Sequence, residues 1–236
     1  MQGVGQCYSR GRQRWRVLAD VSLTVAAGEV VGILGGPREG KTTLLEIAAG
    51  ITSPETGRVV FDGGDLANLS PDDRTDLLGD RIAWLPQEDL ADFNVLEYVA
   101  LPLTLGRRVK PREADERAMD ALKRVGAEQC SSRSWEELSN WERLLVPIAR
   151  GIVSHPALIV MDDLLDGLGA RGTREAGELL RSLAQELNCA ILLSASDPES
   201  LLIAHRVISF DGTGSLTSTS HDTPDEGFFG SAQVGS

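Results

Sequence analysis

The chain has 236 residues, 42% of them apolar, and a formal charge of −12 from 23 basic and 35 acidic side chains. That is enough for one large domain, or a core with an inserted subdomain, and the acidic balance speaks against a nucleic-acid groove, which needs a basic face. No run of about 18 apolar residues is present to span a membrane, and Cys7, Cys130 and Cys189 are widely spaced and odd in number, as expected of ordinary thiols in a reducing compartment.

The opening MQGVGQCYSRGRQRWRV carries arginines with no apolar stretch behind them, so no secretory signal is expected. Arg10, Arg12, Arg14 and Arg16 form the one basic cluster, either a solvated loop or an anionic contact. Strands are expected at Val17–Val25 and Glu29–Leu34. The second runs into Gly35-x-x-x-x-Gly40-Lys41-Thr42, followed by a helix, which is the context a phosphate-binding loop requires. Loop amides and the positive end of the helix dipole would wrap a β-phosphate. Lys41 would reach the β/γ oxygens and Thr42 would ligate Mg²⁺. The sequence therefore predicts binding of a nucleoside triphosphate.

Further along, Pro54-Glu55-Thr56-Gly57 is a turn before a strand at Arg58–Phe61. Ser70-Pro71-Asp72-Asp73 gives an N-cap, a proline at the first helical position and acidic first-turn residues. A strand is expected at Ile82–Leu85. From Phe93 to Gly151 only helical patterns occur, for example Ala114, Ala118, Ala121, Leu122 and Val125 with Gly126 as a stop. Strands then return at Ala157–Met161, Ala190–Ser194 and Arg206–Phe210. This alternation predicts an α/β fold with a largely parallel sheet, a core over 1–92 and 152–212, a helical insert over 93–151 and a flexible tail over 213–236. The tail holds Phe228 and Phe229. ALIVM is apolar throughout, as a strand covered on both faces should be. Asp162 at its carboxyl end is placed to share Mg²⁺ with Thr42, and Asp163, on the opposite side of the strand end, to contact the water that attacks a γ-phosphate.

In this order the elements resemble the ATP-binding subunit of an ABC transporter over about residues 7–212. The resemblance is nearest to the subfamily serving lipoprotein-releasing, macrolide-exporting and cell-division-associated permeases. It rests on DVSLTVAAGEVVGILGG (Asp20–Gly36), AWLPQED, NVLEYVALPL (Asn94–Leu103) and ELSNWERLLVPIARGIVSHPALIVMDD. It implies a P-loop NTPase (RecA-like) core with an antiparallel β edge and an inserted α-helical subdomain. ATP with Mg²⁺ would be bound by Gly35, Gly36, Pro37, Arg38, Glu39, Gly40, Lys41, Thr42 and Thr43, with Tyr8, or less suitably Trp15, stacked on adenine. Gln87 would sense the metal and the attacking water. A membrane permease would contact Glu88–Tyr98, two ATP-binding subunits would pair as a homo- or heterodimer, and the chain would sit peripherally on the cytoplasmic face of the membrane.

The sequence departs from that family at four places. Its catalytic glutamate is Asp163, whose carboxylate falls roughly 1.5 Å short. Its switch histidine is Ser196, shorter and never cationic. An aspartate that couples the two sites of a dimer becomes Gly169. The Leu-Ser-Gly-Gly-Gln signature, which clamps the partner subunit's γ-phosphate, becomes Leu138-Ser139-Asn140-Trp141-Glu142, where Ser139 and Glu142 are spaced as a capping box. Pro147 in the same helix removes a hydrogen bond to Arg143 and should bend it. Arg38 and Glu39 replace small residues in the phosphate loop. Two functions follow, an energy-coupling subunit with low turnover or a nucleotide-binding pseudo-ATPase that is structural or regulatory. A small-molecule kinase would need an arginine-rich lid that is not recognisable, and a DNA-repair ATPase would need a coiled-coil or zinc insert.

Overall fold

The computed structural model describes residues 1–86, 93–105, 109–211 and 213–219. Two long antiparallel strands open the chain, β1 (Gln2–Arg10) and β2 (Gln13–Val21), with Tyr8 directly opposite Trp15. After β3 (Val30–Leu34) and helix α1 (Lys41–Ala48), strand β4 (Thr56–Arg58) joins the free edge of β1 to complete a three-stranded sheet. The strand expected at Val17–Val25 is displaced toward the N-terminus because β1 is its partner. β1 itself leaves little trace in the sequence: it buries only Val4 and Gln6, and irregular pairing between Val4 and Cys7 breaks its alternation.

A short hairpin follows, β5 (Val60–Phe61) with β6 (Gly64–Asp65), and then α2 (Pro71–Asp80), which opens on Ser70 accepting the Asp73 N–H at 3.1 Å. The main sheet uses β3, β7 (Ile82–Leu85), β8 (Leu158–Met161), β9 (Ala190–Ala195) and β10 (Arg206–Phe210), all parallel. A sixth strand, β11 (Leu216–Thr219), lies antiparallel on β10, giving the order β11-β10-β3-β9-β8-β7. The start of the expected tail is therefore a hairpin arm. Asp211 accepts the Thr213 N–H at 2.8 Å, and the Ala19 N–H bonds the Gly214 carbonyl at 2.8 Å, tying the turn to β2. Phe228 and Phe229 lie outside the described residues.

Both faces of the main sheet are covered, and successive residues serve different cores. Val31, Ile33, Val160 and Leu192 pack toward α1 and the antiparallel sheet. Val30, Ile159, Met161, Ile191 and Leu193 pack toward α6 (Gly169–Glu186) and the helices between β7 and β8. Burying each such large side chain stabilises the fold by about 1.5–3 kcal/mol.

Every described element between β7 and β8 is helical. α3 (Val95–Leu105) begins with Asn94 and Glu97 capping each other's amides, and α4 (Pro111–Arg124) ends at Gly126, which takes the left-handed conformation its role as a stop requires. α5 (Asn140–Ile152) runs unbroken through a buried Pro147. Arg143 lies 5.6 Å over the ring of Trp135 and Arg150 5.0 Å over that of Tyr98, fastening α5 to its surroundings.

Candidate functional site

Parallel pairing brings the ends of β3, β8 and β9 to one edge of the sheet: Leu34 stands opposite Ala195, and Met161 opposite Leu193, so β8 stops two residues short of the other two. Three loops therefore leave the same carboxyl edge of the sheet, the place where open α/β sheets receive ligands. They carry Gly35–Gly40, Asp162–Asp163 and Ser196.

The Gly35–Gly40 loop turns tightly. Gly40 has φ 105°, and a Cβ there would lie 2.6 Å from a methyl of Val17, so only glycine fits. Arg38 also sits in the left-handed region, at φ 69°, at a cost of about 1–2 kcal/mol for a branched-off side chain. Glu39 offsets part of this by accepting the Gly36 N–H at 2.6 Å, a carboxylate staple across the loop. α1 opens on Gly40 with no side-chain cap and no acidic residue in its first turn. Its orphan amides and dipole remain available to an anion.

Lys41 is buried and its ammonium is heavily used. It donates to the carbonyl of Gly35 at 2.8 Å and to Ser196 Oγ at 3.0 Å, with the Gly36 carbonyl at 3.4 Å and Asp163 Oδ2 at 3.6 Å. Thr42 Oγ1 donates to Asp162 Oδ2 at 2.7 Å. Asp163 has φ 48°, so the alternation that would turn its side chain away from Asp162 has ended. Instead both carboxylates meet one hydroxyl: Ser194 Oγ lies 2.7 Å from Asp162 Oδ1 and 3.0 Å from Asp163 Oδ1. The expectation that Asp163 points to the opposite side is corrected accordingly. Asp166 lies one turn on, where burial and then the nearby Asp163 push its carboxyl above the usual range.

Tyr8 borders the cleft that this loop forms, a space of about 360 Å³ lined also by Val17, Gly36, Pro37, Arg38, Lys41, Thr42, Thr43, Asp163 and Ser196. Its hydroxyl is 3.4 Å from Thr43 Oγ1. Trp15, on the same face of the hairpin, is 46% exposed and lies outside that lining. Of the basic cluster, Arg14 pairs with Glu55 at 2.9 Å. Gln87 and Glu88 lie outside the described residues. Tyr98 is buried beneath Arg150, which removes it from the contact surface expected for Glu88–Tyr98, whereas Glu97 is exposed.

Ser139, Asn140 and Trp141 start α5 and line no part of that cleft, so one chain does not bring the two groups together. The spaced capping box is closed. Glu142 Oε2 accepts the Ser139 N–H and hydroxyl, each at 2.8 Å, and Ser139 Oγ accepts the Glu142 N–H at 3.3 Å. The other oxygen, Oε1, takes the Cys130 thiol at 3.0 Å and Arg133 at 3.2 Å. The thiol and then the Ser139 amide and hydroxyl hold the Glu142 carboxyl down at about 2, while burial, helped by Glu142, pushes Cys130 up to about 11. Trp141 leans on the hydrophobic core, and Asn140 is exposed.

The donor set fits a nucleotide with a hard divalent cation. A buried ammonium stands among open helix amides, beside a hydroxyl and a carboxylate already in register. Sequence reasoning missed Ser194, whose one signal is a hydroxyl inside an otherwise apolar strand. It also missed Cys130 and Arg133 as anchors of Glu142.

The family described as ABC transporter matches residues 18–165. Among solved structures, a post-hydrolysis dimer of the ATP-binding cassette MJ0796 bound to ADP and Pi is similar with a TM-score of 0.83 at 25% identity, covering 93% of this chain and 97% of that one. A second dimeric structure of MJ0796, described as a bacterial ABC transporter cassette, gives 0.81 at 26%, covering 91% and 94%. cbiO1 from Clostridium perfringens, part of the ABC transporter complex cbiONQ, gives 0.79 at 26%, covering 92% and 85%.

Proposed function

We propose that this chain, which belongs to the ABC transporter family, is an ATP-binding subunit that couples nucleotide binding and slow hydrolysis to a membrane permease. The observation that carries it is the convergence of Lys41, Thr42 and Asp162 on an uncapped helix end. Lys41 and the first-turn amides would hold the phosphates, and Thr42 with Asp162 would hold Mg²⁺, whose charge neutralises the phosphate oxygens. Asp163 and Ser196 stand where a base and a γ-phosphate donor belong, but both are turned onto Lys41. That geometry supports binding better than it supports rapid attack by water.

Pairing of two such subunits is supported by the dimeric MJ0796 structures. For the permease, the supporting surface is a cleft of about 430 Å³ between α2, β7 and α3, with Leu78, Trp84, Pro86, Pro102 and Leu105 in its wall. Leu105 is 76% exposed, and among the described residues no helix is long and apolar enough to cross a membrane. These features support a permease contact in the region expected at Glu88–Tyr98, less the buried Tyr98, and a peripheral position on the cytoplasmic face. Co-purification of the permease from membranes tests it: Leu105→Asp should abolish capture, and retention at wild-type level would move the contact elsewhere.

One observation favours the second function, a nucleotide-binding structural or regulatory subunit without turnover: the closed capping box at the start of α5. Measuring ATP turnover with and without the membrane partner separates the two. Stimulation by the permease supports coupling, and absence of turnover in both states supports the pseudo-ATPase.

A further inference from the structure

Ser194 is a polar residue on a strand covered on both faces, and it is 1% exposed. A buried hydroxyl must find partners. Among the described residues its three contacts all lie on the turn after β8. Its oxygen accepts the Asp163 N–H at 2.9 Å, and it sits 2.7 Å from Asp162 Oδ1 and 3.0 Å from Asp163 Oδ1. One hydroxyl has one proton, so the shorter contact goes to Asp162. The other oxygen of Asp162 takes the Thr42 hydroxyl at 2.7 Å. The carboxylate is thus gripped from two sides, by α1 and by β9. The same serine holds the left-handed backbone of Asp163, and this keeps the second carboxylate facing Lys41 at 3.6 Å.

We propose that Ser194 is a positioning residue for the divalent cation that accompanies the nucleotide. It fixes the Asp162 carboxylate against Thr42 and keeps Asp163 turned toward Lys41, where it does not compete for the ion. Its place is behind the groups that would hold the cation, and partners in such positions commonly govern metal affinity as strongly as the ligands do. The inference rests on the reading of the cleft as an ATP–Mg²⁺ site. It assigns no chemistry to Ser194 itself.

The test uses the full chain and two separate titrations. ATP affinity is measured by calorimetry in chelator, and Mn²⁺ is then titrated into the protein–ATP complex, with free ion counted by its spin-resonance signal. Ser194→Val has the shape of Ser194→Thr without its hydroxyl, and should weaken Mn²⁺ binding by about tenfold with metal-free ATP affinity within about twofold. Ser194→Thr restores a hydroxyl and should bind Mn²⁺ within about twofold of the wild type. Unchanged Mn²⁺ affinity in Ser194→Val would overturn the proposal. So would an equal loss in both titrations, which is what a packing defect produces. If the valine variant does not fold, the threonine variant decides: Mn²⁺ affinity weakened despite a retained hydroxyl counts against the proposal. A wild type that binds no ATP in either titration would instead overturn the nucleotide reading, and this inference with it.

Discussion

Two helices of this chain carry the ends at which the family would hold phosphate, and they begin in opposite ways. α1 starts on Gly40 with no side-chain cap and no acidic residue in its first turn, so its amides face the cleft unclaimed. α5 starts on Ser139 with a reciprocal cap, a carboxylate in the first turn and that carboxylate anchored by Cys130 and Arg133. The first is an open seat for phosphate, and the second has satisfied its own donors and carries a negative charge at the positive end of the helix. In an ATP sandwich each nucleotide would lie between the open end of one chain and the signature end of another. The contrast therefore predicts tight binding on one side and a poor clamp on the other.

The largest expected effect comes from making both ends competent. Wild-type turnover should lie below roughly 1 s⁻¹, the lower end of usual enzyme rates. Asp163→Glu with Ser196→His, or Asn140→Gly with Trp141→Gly and Glu142→Gln, should each gain less than about tenfold. All five together should gain about a hundredfold or more, since groups that act as a unit are non-additive. Steady-state ATP turnover of the purified protein checks this. A wild-type protein turning over at tens per second would show that the closed end of α5 is no obstacle.

Breaking the open end is the next largest. Lys41→Ala removes a buried ammonium that donates to the Gly35 carbonyl and Ser196. ATP affinity should fall by tenfold or more, about the 1.5–3 kcal/mol of charge-assisted hydrogen bonds. A nucleotide titration that does not change in this variant would remove α1 as the binding seat.

Breaking the closed end should register in stability rather than in binding. The Glu142 carboxyl is held at about 2, chiefly by the Cys130 thiol and then by Ser139, against an ordinary value of 4.5. A depressed carboxyl contributes stability in full above about pH 4.5 and loses it as pH falls toward 2. The full depression corresponds to about 3.4 kcal/mol at neutral pH, which solvent screening at this surface-adjacent group reduces to about 2 kcal/mol. Urea unfolding should show Glu142→Ala destabilised by that amount at pH 7, with the gap to wild type narrowing at pH 3. A gap that stays constant across that range would mean the carboxylate is not what closes the helix.

Much of the open end was legible in the sequence, because phosphate loops declare themselves by glycines at fixed spacing between a strand and a helix. Lys41, Thr42 and Asp162 come together since β3 and β8 run parallel and end at the same edge of the sheet, β8 two residues before β3. The capping box at Ser139 and Glu142 was equally readable as a local pattern. What could not be read were partners supplied by distant chain. Cys130 and Arg133 reach Glu142 from before the helix, and Ser194 reaches two aspartates from another strand. The direction of Asp163 was misjudged because its left-handed backbone has no marker in an Asp-Asp pair. β1 and β11 were missed for a related reason: β1 lies between β2 and β4 with its alternation broken by irregular pairing, β11 is an edge strand, and the strand character of each comes from its neighbours.

The smallest effect concerns the base rather than the phosphates, and it sharpens what the open end grips. Tyr8 and Trp15 are cross-strand neighbours with similar exposure, 37% and 46%, so exposure alone does not choose between them as an adenine platform. Position does. Tyr8 borders the cleft and sets its hydroxyl 3.4 Å from Thr43, on the first turn of α1, whereas Trp15 lies outside the lining. An aromatic contact of this kind contributes about 0.5–1.5 kcal/mol, so Tyr8→Ala should weaken ATP by about two- to tenfold. Tyr8→Phe keeps the ring and should stay within about twofold, and Trp15→Ala should do the same. Inorganic triphosphate, which carries no base, should bind all three variants as it binds the wild type. If Trp15→Ala costs ATP more than Tyr8→Ala does, the platform is one strand over. If triphosphate weakens along with ATP in Tyr8→Ala, the tyrosine acts through Thr43 and α1, and the open end depends on the hairpin as well as on its own loop.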